Sequence, residues 1–507
     1  MKRPSDLSRP GQGSRATGSA NRSSDRPAGR RAEGRPEGRP ESRGEARSDK
    51  KAQVPAPGRS EQRGPARSAQ KPDAGTDKKH GKGQEASQGR GDRSTDKTPG
   101  MPRSALLRSD NRNTLAVGTV SAKYLQQGHC WVTLDKELGD TSRYRNGSIV
   151  SLVSPEGEFL AQALLEPDTR IVARVLSRDP REHLSDDVFR ARALRALEGR
   201  KSLAEVSNAY RIVHQEADGF PALTIDRYGD YLVAQLYSPA ALGIAHLALE
   251  ALERTGQFVG GFLKQLPKDR RVSTEGTGTW VFGEPGPTRF AINEYGVKFW
   301  VQPFQTASSG LSTGLFLDMR ENRRTIAALT RGQKVLNAFA YTGGFSLYCA
   351  QEGARVDTLD LSNKVVEQVR ENFALNGLSE TDHNFITDDT FLYLARVAGK
   401  SPETTYDAIV LDPPTFSTSR DNTWSPGRIT ELNALAMAAL PPQGLLITFS
   451  NFAQMSEAEL LTALFDASLE ARRPVQILKS LQAGPDFPWL PGFPESRHLK
   501  GFIVRVL

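Results

Sequence analysis

The spacing of hydrophobic positions divides the chain into segments with different predicted structures. Between residues 115 and 176, short aliphatic and β-branched runs alternate with Gly, Asn, Pro and Asp, which predicts a small β-rich module. A helical stretch is expected over about 188–210. Two strands joined across residues 229–230, a helix over 240–254 and further strands then predict a unit with the order β-β-α-β-β.

From about residue 333 onward, hydrophobic strands alternate with helices. This alternation is typical of βαβ units and of a parallel, doubly wound sheet. A final strand at 501–506, after a helix over 456–471, predicts one antiparallel edge. The predicted fold class is therefore α/β, with a Rossmann-like domain preceded by a small β-rich domain and by the β-β-α-β-β domain.

The first hundred residues have a different composition from the rest of the 507-residue chain. They carry a net charge of +11, whereas the remaining residues carry a net charge of −3. They contain no Ile, Phe, Tyr or Trp, so they cannot bury enough apolar surface to offset chain entropy and are expected to be disordered. This basic tail could raise RNA affinity through phosphate contacts, or it could be a solubilising extension.

Composition also argues against several classes of protein. No apolar run approaches the roughly 18 residues of a membrane-spanning helix, and no secretory signal is visible. The two cysteines, Cys130 and Cys349, indicate a reducing compartment, for which the cytoplasm is the default, without a disulfide framework. The seven His show no metal-ligand spacing, so no metal site is expected.

Four strand ends in the doubly wound region carry residues that suit a nucleoside ligand. Ligands of such sheets lie beyond the carboxyl ends of the strands. The glycine-rich turn at 339–345 permits a close approach to a helix N-terminus, and Asp360 can accept hydrogen bonds from ribose hydroxyls. Asp388-Asp389 can receive an adenine amino group, and residues 412–416 form the fourth strand end. Each motif is weak alone, but their order predicts an adenosyl ligand.

The order of these motifs resembles that of the class I S-adenosylmethionine-dependent methyltransferases. The resemblance is closest to the bacterial large-subunit (23S) rRNA methyltransferase family with an N-terminal PUA domain, and it covers residues 115–507. The stretches that carry it are 218–228, 314–320, 340–345, 412–416 and 499–502. The domain limits that it implies are a tail at 1–112, a PUA-like RNA-binding domain at 113–187, a helical connector with the central domain at 188–302, and a methyltransferase domain at 303–507.

The resemblance also implies a cofactor, a partner and a set of site residues. S-adenosylmethionine is the implied cofactor and large-subunit rRNA the implied partner; no membrane partner is expected, and a homodimer is compatible with the sequence. The cofactor is expected at Phe339, Tyr341, Thr342, Gly343 and Gly344 for the methionine part, Asp360 for the ribose, and Asp389 or Asp388 for the adenine, with Asp318 and Arg320 closing over the cofactor or the base. The pocket of the target base is expected at Asp412, Pro413, Pro414, Phe416 and Asn451.

One position bears on which base atom is methylated. The cytosine-carbon-5 enzymes of this family have a nucleophilic cysteine just after the strand that here ends at Ser450, because a thiolate must add to carbon 6 before carbon 5 can react. This chain has Asn451 there. The Ser-Asn pair and the Asp412 to Phe416 motif are instead similar to the related guanine-nitrogen-7 methyltransferase domain, whose target nitrogen has a lone pair and needs mainly alignment.

The sequence therefore favours an RNA methyltransferase that acts on a base nitrogen such as guanine N7. An exocyclic amine is also compatible with the Asp-Pro-Pro motif. Two further alternatives stay open at this point: a cytosine-C5 enzyme with a displaced nucleophile, and a non-catalytic RNA-binding factor in ribosome assembly.

Overall fold

Three larger β-sheets follow one another along the chain in the computed structural model. The described residues are 109–167, 169–265, 277–306, 313–398, 406–414, 417–418 and 423–507. The predicted disordered tail therefore lies outside the described residues up to residue 108, and so does Phe416. Among the described residues, no helix is long and apolar enough to cross a membrane.

The first sheet has five strands in the order β1-β3-β4-β5-β2. The sequence predicts a strand over 116–120, but β1 ends at Ala116 and a helix begins at Thr119, after Gly118 in extended conformation. Leu125 of this helix is fully buried, so the segment covers the sheet instead of extending it. The elements are β1 (Ser109–Ala116), α1 (Thr119–Gln126), β2 (Trp131–Thr133), β3 (Ile149–Val153), β4 (Phe159–Leu165) and β5 (Ile171–Ser177).

The second sheet has five strands in the order β10-β9-β8-β7-β6. It contains the predicted β-β-α-β-β order and adds β6 as an edge strand, because the helix expected over 188–210 ends at Glu198. The strand expected near 297–301 pairs with β11 in a separate hairpin. The elements are α2 (Asp186–Glu198), β6 (Ala209–His214), β7 (Leu223–Tyr228), β8 (Tyr231–Leu236), α3 (Leu242–Glu253), β9 (Gly260–Gln265), β10 (Thr277–Gly283), β11 (Phe290–Glu294) and β12 (Val297–Val301).

The third sheet has seven strands in the order β15-β14-β13-β16-β19-β21-β20. The pairs from β15 to β19 are parallel, and β21 pairs antiparallel with both β19 and β20. The elements are α4 (Arg320–Leu329), β13 (Lys334–Ala338), α5 (Gly344–Gln351), β14 (Arg355–Asp360), α6 (Asn363–Leu375), β15 (Asn384–Thr387), α7 (Thr390–Val397), β16 (Ala408–Leu411), β17 (Ser417–Thr418), β18 (Thr423–Trp424), α8 (Ile429–Ala439), β19 (Leu445–Ser450), α9 (Glu457–Glu470), β20 (Val475–Leu481) and β21 (Lys500–Val506).

Burial explains why the central strands of this sheet take their positions. Val335 and Val356 are buried in one hydrophobic cluster, whereas Leu336 and Ile409 are buried in another, because successive side chains point to opposite faces. Helices cover both faces, as parallel sheets require. Strands β13, β14, β16 and β19 therefore end at one edge with their following residues close together.

Candidate active site

A cavity of about 290 Å³ lies at the carboxyl ends of these strands. It is lined by residues that follow β13, β14, β16 and β19 and by the segment before α4. The residues singled out from the sequence that line it are Phe339, Tyr341, Thr342, Gly344, Asp360, Asp389, Asp318, Asp412, Pro413, Pro414 and Asn451.

The turn between β13 and α5 has an unusual backbone. Phe339 and Tyr341 have φ angles of 56° and 49°, which side-chain-bearing residues rarely adopt. The Gly314 amide donates to the Tyr341 hydroxyl at 2.9 Å, and the Thr342 hydroxyl donates to the Gly314 carbonyl at 2.6 Å. These bonds hold the strained turn against the cavity, and strain of this kind is concentrated at functional sites.

Gly343 is the one glycine of this turn that the cavity does not contact. Its φ is +81°, and a Cβ there would lie 2.6 Å from a methyl carbon of Val369. Gly343 is therefore not among the residues that contact the cavity, although the sequence predicts that it contacts the cofactor. Gly343 allows the chain to enter α5, and Gly344 presents the first turn of that helix to the cavity.

Two carboxylates line the side of the cavity formed after β14 and β15. The oxygens of Asp360 accept the amides of Tyr341 and Ser362, each at 3.1 Å, and burial raises the pKa of Asp360 although these bonds oppose the shift. One oxygen of Asp389 accepts the amides of Phe391 and Leu392 and so caps α7. The other oxygen of Asp389 has no partner among the described residues and is available to a ligand.

Two residues expected at the cofactor lie elsewhere. Asp388 does not line the cavity, because its side chain pairs with Arg396 and accepts the Asp389 amide. Arg320 is fully buried and makes a two-pronged ion pair with Asp486, at 2.5 and 3.1 Å. This pair holds Arg320 in the protein interior, and Arg320 is not among the residues that line the cavity.

Asp412 and Asp318 put two carboxyl groups on the cavity wall. Burial, followed by the negative charge of Asp318, raises the pKa of Asp412 to about 7, with Arg323 opposing the shift. Burial acts in the same upward direction on Asp318, but the hydrogen bond from His498 at 2.9 Å and nearby positive charges leave its pKa below the usual value. No hydrogen bond holds the Asp412 carboxyl among the described residues, which is typical of a group that meets a ligand.

Several lining residues were missed by sequence reasoning. Arg323 lies buried at the cavity wall and pairs with Glu294 through two bonds of 2.8 Å. No local signal marks this pair, since its members lie 29 residues apart. The other missed residues include Phe316, Leu361, Val365 and Phe391. Leu361 and Phe391 come one and two residues after the acids Asp360 and Asp389. Apolar residues that closely follow such acids could therefore have been predicted to line the cavity.

Neither cysteine of the chain lines the cavity. Cys130 is buried in the core of the first sheet, and Cys349 is fully buried within α5. Burial raises the pKa of the Cys349 thiol to about 11, with a weaker opposing contact from Thr330. A thiol held in this way is neutral near pH 7 and poorly suited to act as a nucleophile.

Comparisons with known proteins agree with this geometry. A family model described as S-adenosylmethionine-dependent methyltransferase matches residues 215–489, and a PUA-like domain model matches residues 115–178. The ribosomal RNA large subunit methyltransferase I of Aeromonas hydrophila is 35% identical over 367 residues, which are 71% of this chain and 91% of that protein. The protein of the same name from Shewanella denitrificans is 33% identical over 367 residues, 71% of this chain and 90% of that protein.

A solved structure with a similar fold contains a ligand related to S-adenosylmethionine. The crystal structure of SMU.776, named as a methyltransferase and complexed with SAH, is similar with a TM-score of 0.68 and 26% identity. The likeness covers 78% of this chain and 100% of that one. The matched family model spans more than half of the chain, and the cavity lies at the strand ends where such enzymes bind their ligand. The chain therefore belongs to the S-adenosylmethionine-dependent methyltransferases, and S-adenosylmethionine is its cofactor.

Proposed function

We propose that this protein transfers the methyl group of S-adenosylmethionine to a base nitrogen of large-subunit rRNA, with guanine N7 as the favoured atom. The rRNA assignment is supported by the names of relatives that match 71% of the chain, and by the PUA-like domain. The observation that carries the nitrogen assignment is Asn451, which lines the cavity directly after β19. A cytosine-C5 enzyme would need a thiolate at this place.

The residues of the cavity fit the cofactor. Asp360 would hold the ribose and the free oxygen of Asp389 the adenine amino group, while the first turn of α5 faces the methionine part. The carboxyl group of Asp318 on the cavity wall suits the positive sulfonium. When bound, the cofactor supplies an electrophilic methyl group.

The chain's own residues would act mainly by positioning and by charge. Guanine gains a positive charge as N7 takes up a methyl group and the bond from sulfur to that methyl breaks, so no proton has to leave the base. Asp412 would lie beside the base, where this positive charge favours the ionised form of its carboxyl group. Asn451 would hydrogen-bond the base edge and align N7 with the methyl group.

The cysteine content allows a direct test of the chemistry. We expect the double variant Cys130→Ala, Cys349→Ala to keep its methyl transfer to large-subunit rRNA, apart from a loss of stability from repacking at Cys349. The wild type should form no covalent complex with an rRNA transcript that contains 5-fluorocytosine. A covalent complex that disappears in the Cys349→Ala variant would overturn the nitrogen assignment in favour of a displaced nucleophile.

Calorimetric titration with S-adenosylmethionine separates the enzyme from a non-catalytic assembly factor. The intact cavity predicts saturable binding, because its carboxylates and helix terminus are in place. Absence of binding to the folded protein would contradict the proposal and favour the assembly factor.

A further inference from the structure

A second cavity, of about 450 Å³, lies next to the 290 Å³ cavity in which we propose that the cofactor binds, which we call the cofactor cavity. Leu315, Phe316, Asp318 and Asn451 line both cavities, so a molecule in the second cavity reaches the first at this shared wall. The volume falls within the range of about 300–1,000 Å³ that is usual for ligand sites. We call it the second cavity below.

One wall of the second cavity, which we call its floor, is formed by polar side chains from the second sheet. Arg211, Asp226 and Gln235 stand on the neighbouring strands β6, β7 and β8 and line this cavity. The Arg211 guanidinium donates two hydrogen bonds to Asp226, at 2.8 and 3.0 Å, so its charge is compensated. Burying polar groups between two domains costs free energy unless they have partners. Arg211 and Asp226 have each other as partners, which leaves Gln235 as the third polar side chain of the floor.

Gln235 is the polar side chain of this floor that lacks a protein partner. It is 5% exposed and lines the cavity, yet its carboxamide has no hydrogen-bond partner among the described residues. A carboxamide offers two donors and one acceptor oxygen, which can pair with the edge of a nucleobase. The polar group is therefore free to bind a planar ligand that presents both donors and acceptors.

Trp131 of β2 is the partly exposed aromatic side chain of the second cavity that packs against Phe493, which is 1% exposed. Trp131 of β2 and Phe493 lie edge to face with their ring centres 4.8 Å apart, and the Trp131 indole donates to Glu216 at 2.7 Å. Trp131 also lines a wider cleft together with Lys136 and Arg170 of the first sheet's module. The same cleft also carries Asp135, Glu137, Glu166 and Glu495, so the feature suited to an RNA base is the ring of Trp131, which can stack on it.

We propose that the second cavity receives the target nucleoside after it flips out of the RNA, and that Gln235 determines specificity by hydrogen-bonding the edge of its base. This proposal rests on the proposed function, and it names the place where that substrate is held. Enzymes that modify bases act on single-stranded substrate or extrude the base from a duplex, and an extruded base needs a pocket beside the reacting group.

The test uses a matched pair of variants of the full chain. Gln235→Leu removes every donor and acceptor at nearly constant volume. Thr224→Val removes the hydroxyl of the cross-strand neighbour, which is buried without a partner but does not line the cavity. We expect Thr224→Val to unfold at the same temperature as the wild type or a higher one, because it loses a buried hydroxyl without a partner, and Gln235→Leu to unfold close to the wild type. Both should also bind S-adenosylmethionine normally.

The readouts are rRNA methylation and photo-crosslinking to a large-subunit rRNA transcript that contains 6-thioguanosine. Gln235→Leu should lower kcat/KM for the rRNA by about tenfold or more, since a base edge loses its partner, whereas Thr224→Val should match the wild type. Wild-type crosslinks should map by mass spectrometry to peptides that contain Gln235 or Trp131, and their yield should fall in Gln235→Leu.

The outcomes separate this proposal from the proposed function. The wild type could crosslink at the second cavity and yet methylate no rRNA. That outcome would contradict the proposed function but support the nucleoside site. Normal methylation by Gln235→Leu, or crosslinks that map only outside the second cavity, would overturn the nucleoside site while leaving the proposed function in place.

Discussion

The cofactor cavity and the second cavity share a wall at Asp318 and Asn451 but are assembled in different ways. The cofactor cavity consists of residues at the ends of neighbouring parallel strands, where the topology of a doubly wound sheet must bring them together. The second cavity combines β2, β6 and β8 with a segment near residues 487–498. Its residues meet only because three sheets pack against one another.

This difference separates two tasks within one protein. Binding of the cofactor depends on one sheet and on the turns that leave it, so it is a property of the methyltransferase fold. In our proposal, recognition of the target depends on how the other two sheets pack against that sheet. Substitutions can therefore affect one cavity and spare the other.

The largest effect is expected at the buried ion pair that anchors one side of the second cavity. Arg320 pairs with Asp486, which also accepts the Arg211 amide at 3.0 Å, so this pair ties α4 to the floor of that cavity. Arg320→Ala should lower the free energy of unfolding by about 3–5 kcal/mol, because it leaves a buried carboxylate without its partner. Chemical denaturation followed by circular dichroism measures this change.

Arg331→Ala is the control, since Arg331 is exposed and pairs with Glu352 at the surface, where such pairs contribute about 0–1 kcal/mol. A stable Arg320→Ala protein that has lost its affinity for S-adenosylmethionine would contradict the structural role and return Arg320 to the cofactor.

The next effect concerns turnover without loss of the cofactor. Asp412→Ala should reduce methyl transfer by about 10²–10³-fold, as for the removal of one electrostatic group that stabilises developing charge. The dissociation constant of S-adenosylmethionine should stay close to that of the wild type, because the proposed partner of Asp412 is the base. Asp466→Ala, at an exposed position of α9, serves as the control. Undiminished turnover by Asp412→Ala would show that Asp412 does not stabilise the charge on the base.

A smaller effect is expected on cofactor affinity alone. Asp360→Ala should weaken S-adenosylmethionine binding by about 1.5–3 kcal/mol, which is usual for hydrogen bonds to a charged group. Asp388→Ala is a matched control, because Asp388 also follows a strand end but does not line the cavity. Isothermal titration calorimetry gives both values. Equal affinities for the two variants would show that the ribose is held elsewhere.

The smallest expected effect is a pH dependence of stability. The pKa of Asp412 is raised to about 7 from an ordinary value of 3.8, so between these values the folded protein holds a proton that the unfolded chain has lost. This contribution to stability is lost as the pH rises through about 7. Asp412→Asn should therefore gain about 1–2 kcal/mol of unfolding free energy relative to the wild type between pH 6 and pH 8. Parallel denaturation profiles for the two proteins would contradict the raised pKa.

Local patterns were sufficient to predict most of the cofactor cavity. The fully buried run from Val335 to Ala338 and the acids Asp360 and Asp389 lie where the alternation of strands and helices indicates. Each of these features depends on residues close in sequence. The proposed limits of the domains stay predictions.

Features that depend on distant residues could not be predicted. The partners Arg320 and Asp486 lie 166 residues apart, so the sequence cannot distinguish a buried ion pair from a ligand contact. Gln235 is flanked by apolar residues and looks like the polar member of an ordinary strand. Strand β20 was missed because its Gln476 and Lys479 interrupt the hydrophobic run, and its partner β21 begins only at residue 500.

The central claim is that Asn451 and the absence of a thiol at the cavity direct the methyl group to a base nitrogen. The most direct measurement is mass spectrometry of nucleosides from large-subunit rRNA treated with the protein and S-adenosylmethionine that carries an isotopically labelled methyl group. The account predicts that the label appears in 7-methylguanosine, and that it does so equally with the variant lacking both cysteines. Label in 5-methylcytosine would contradict it.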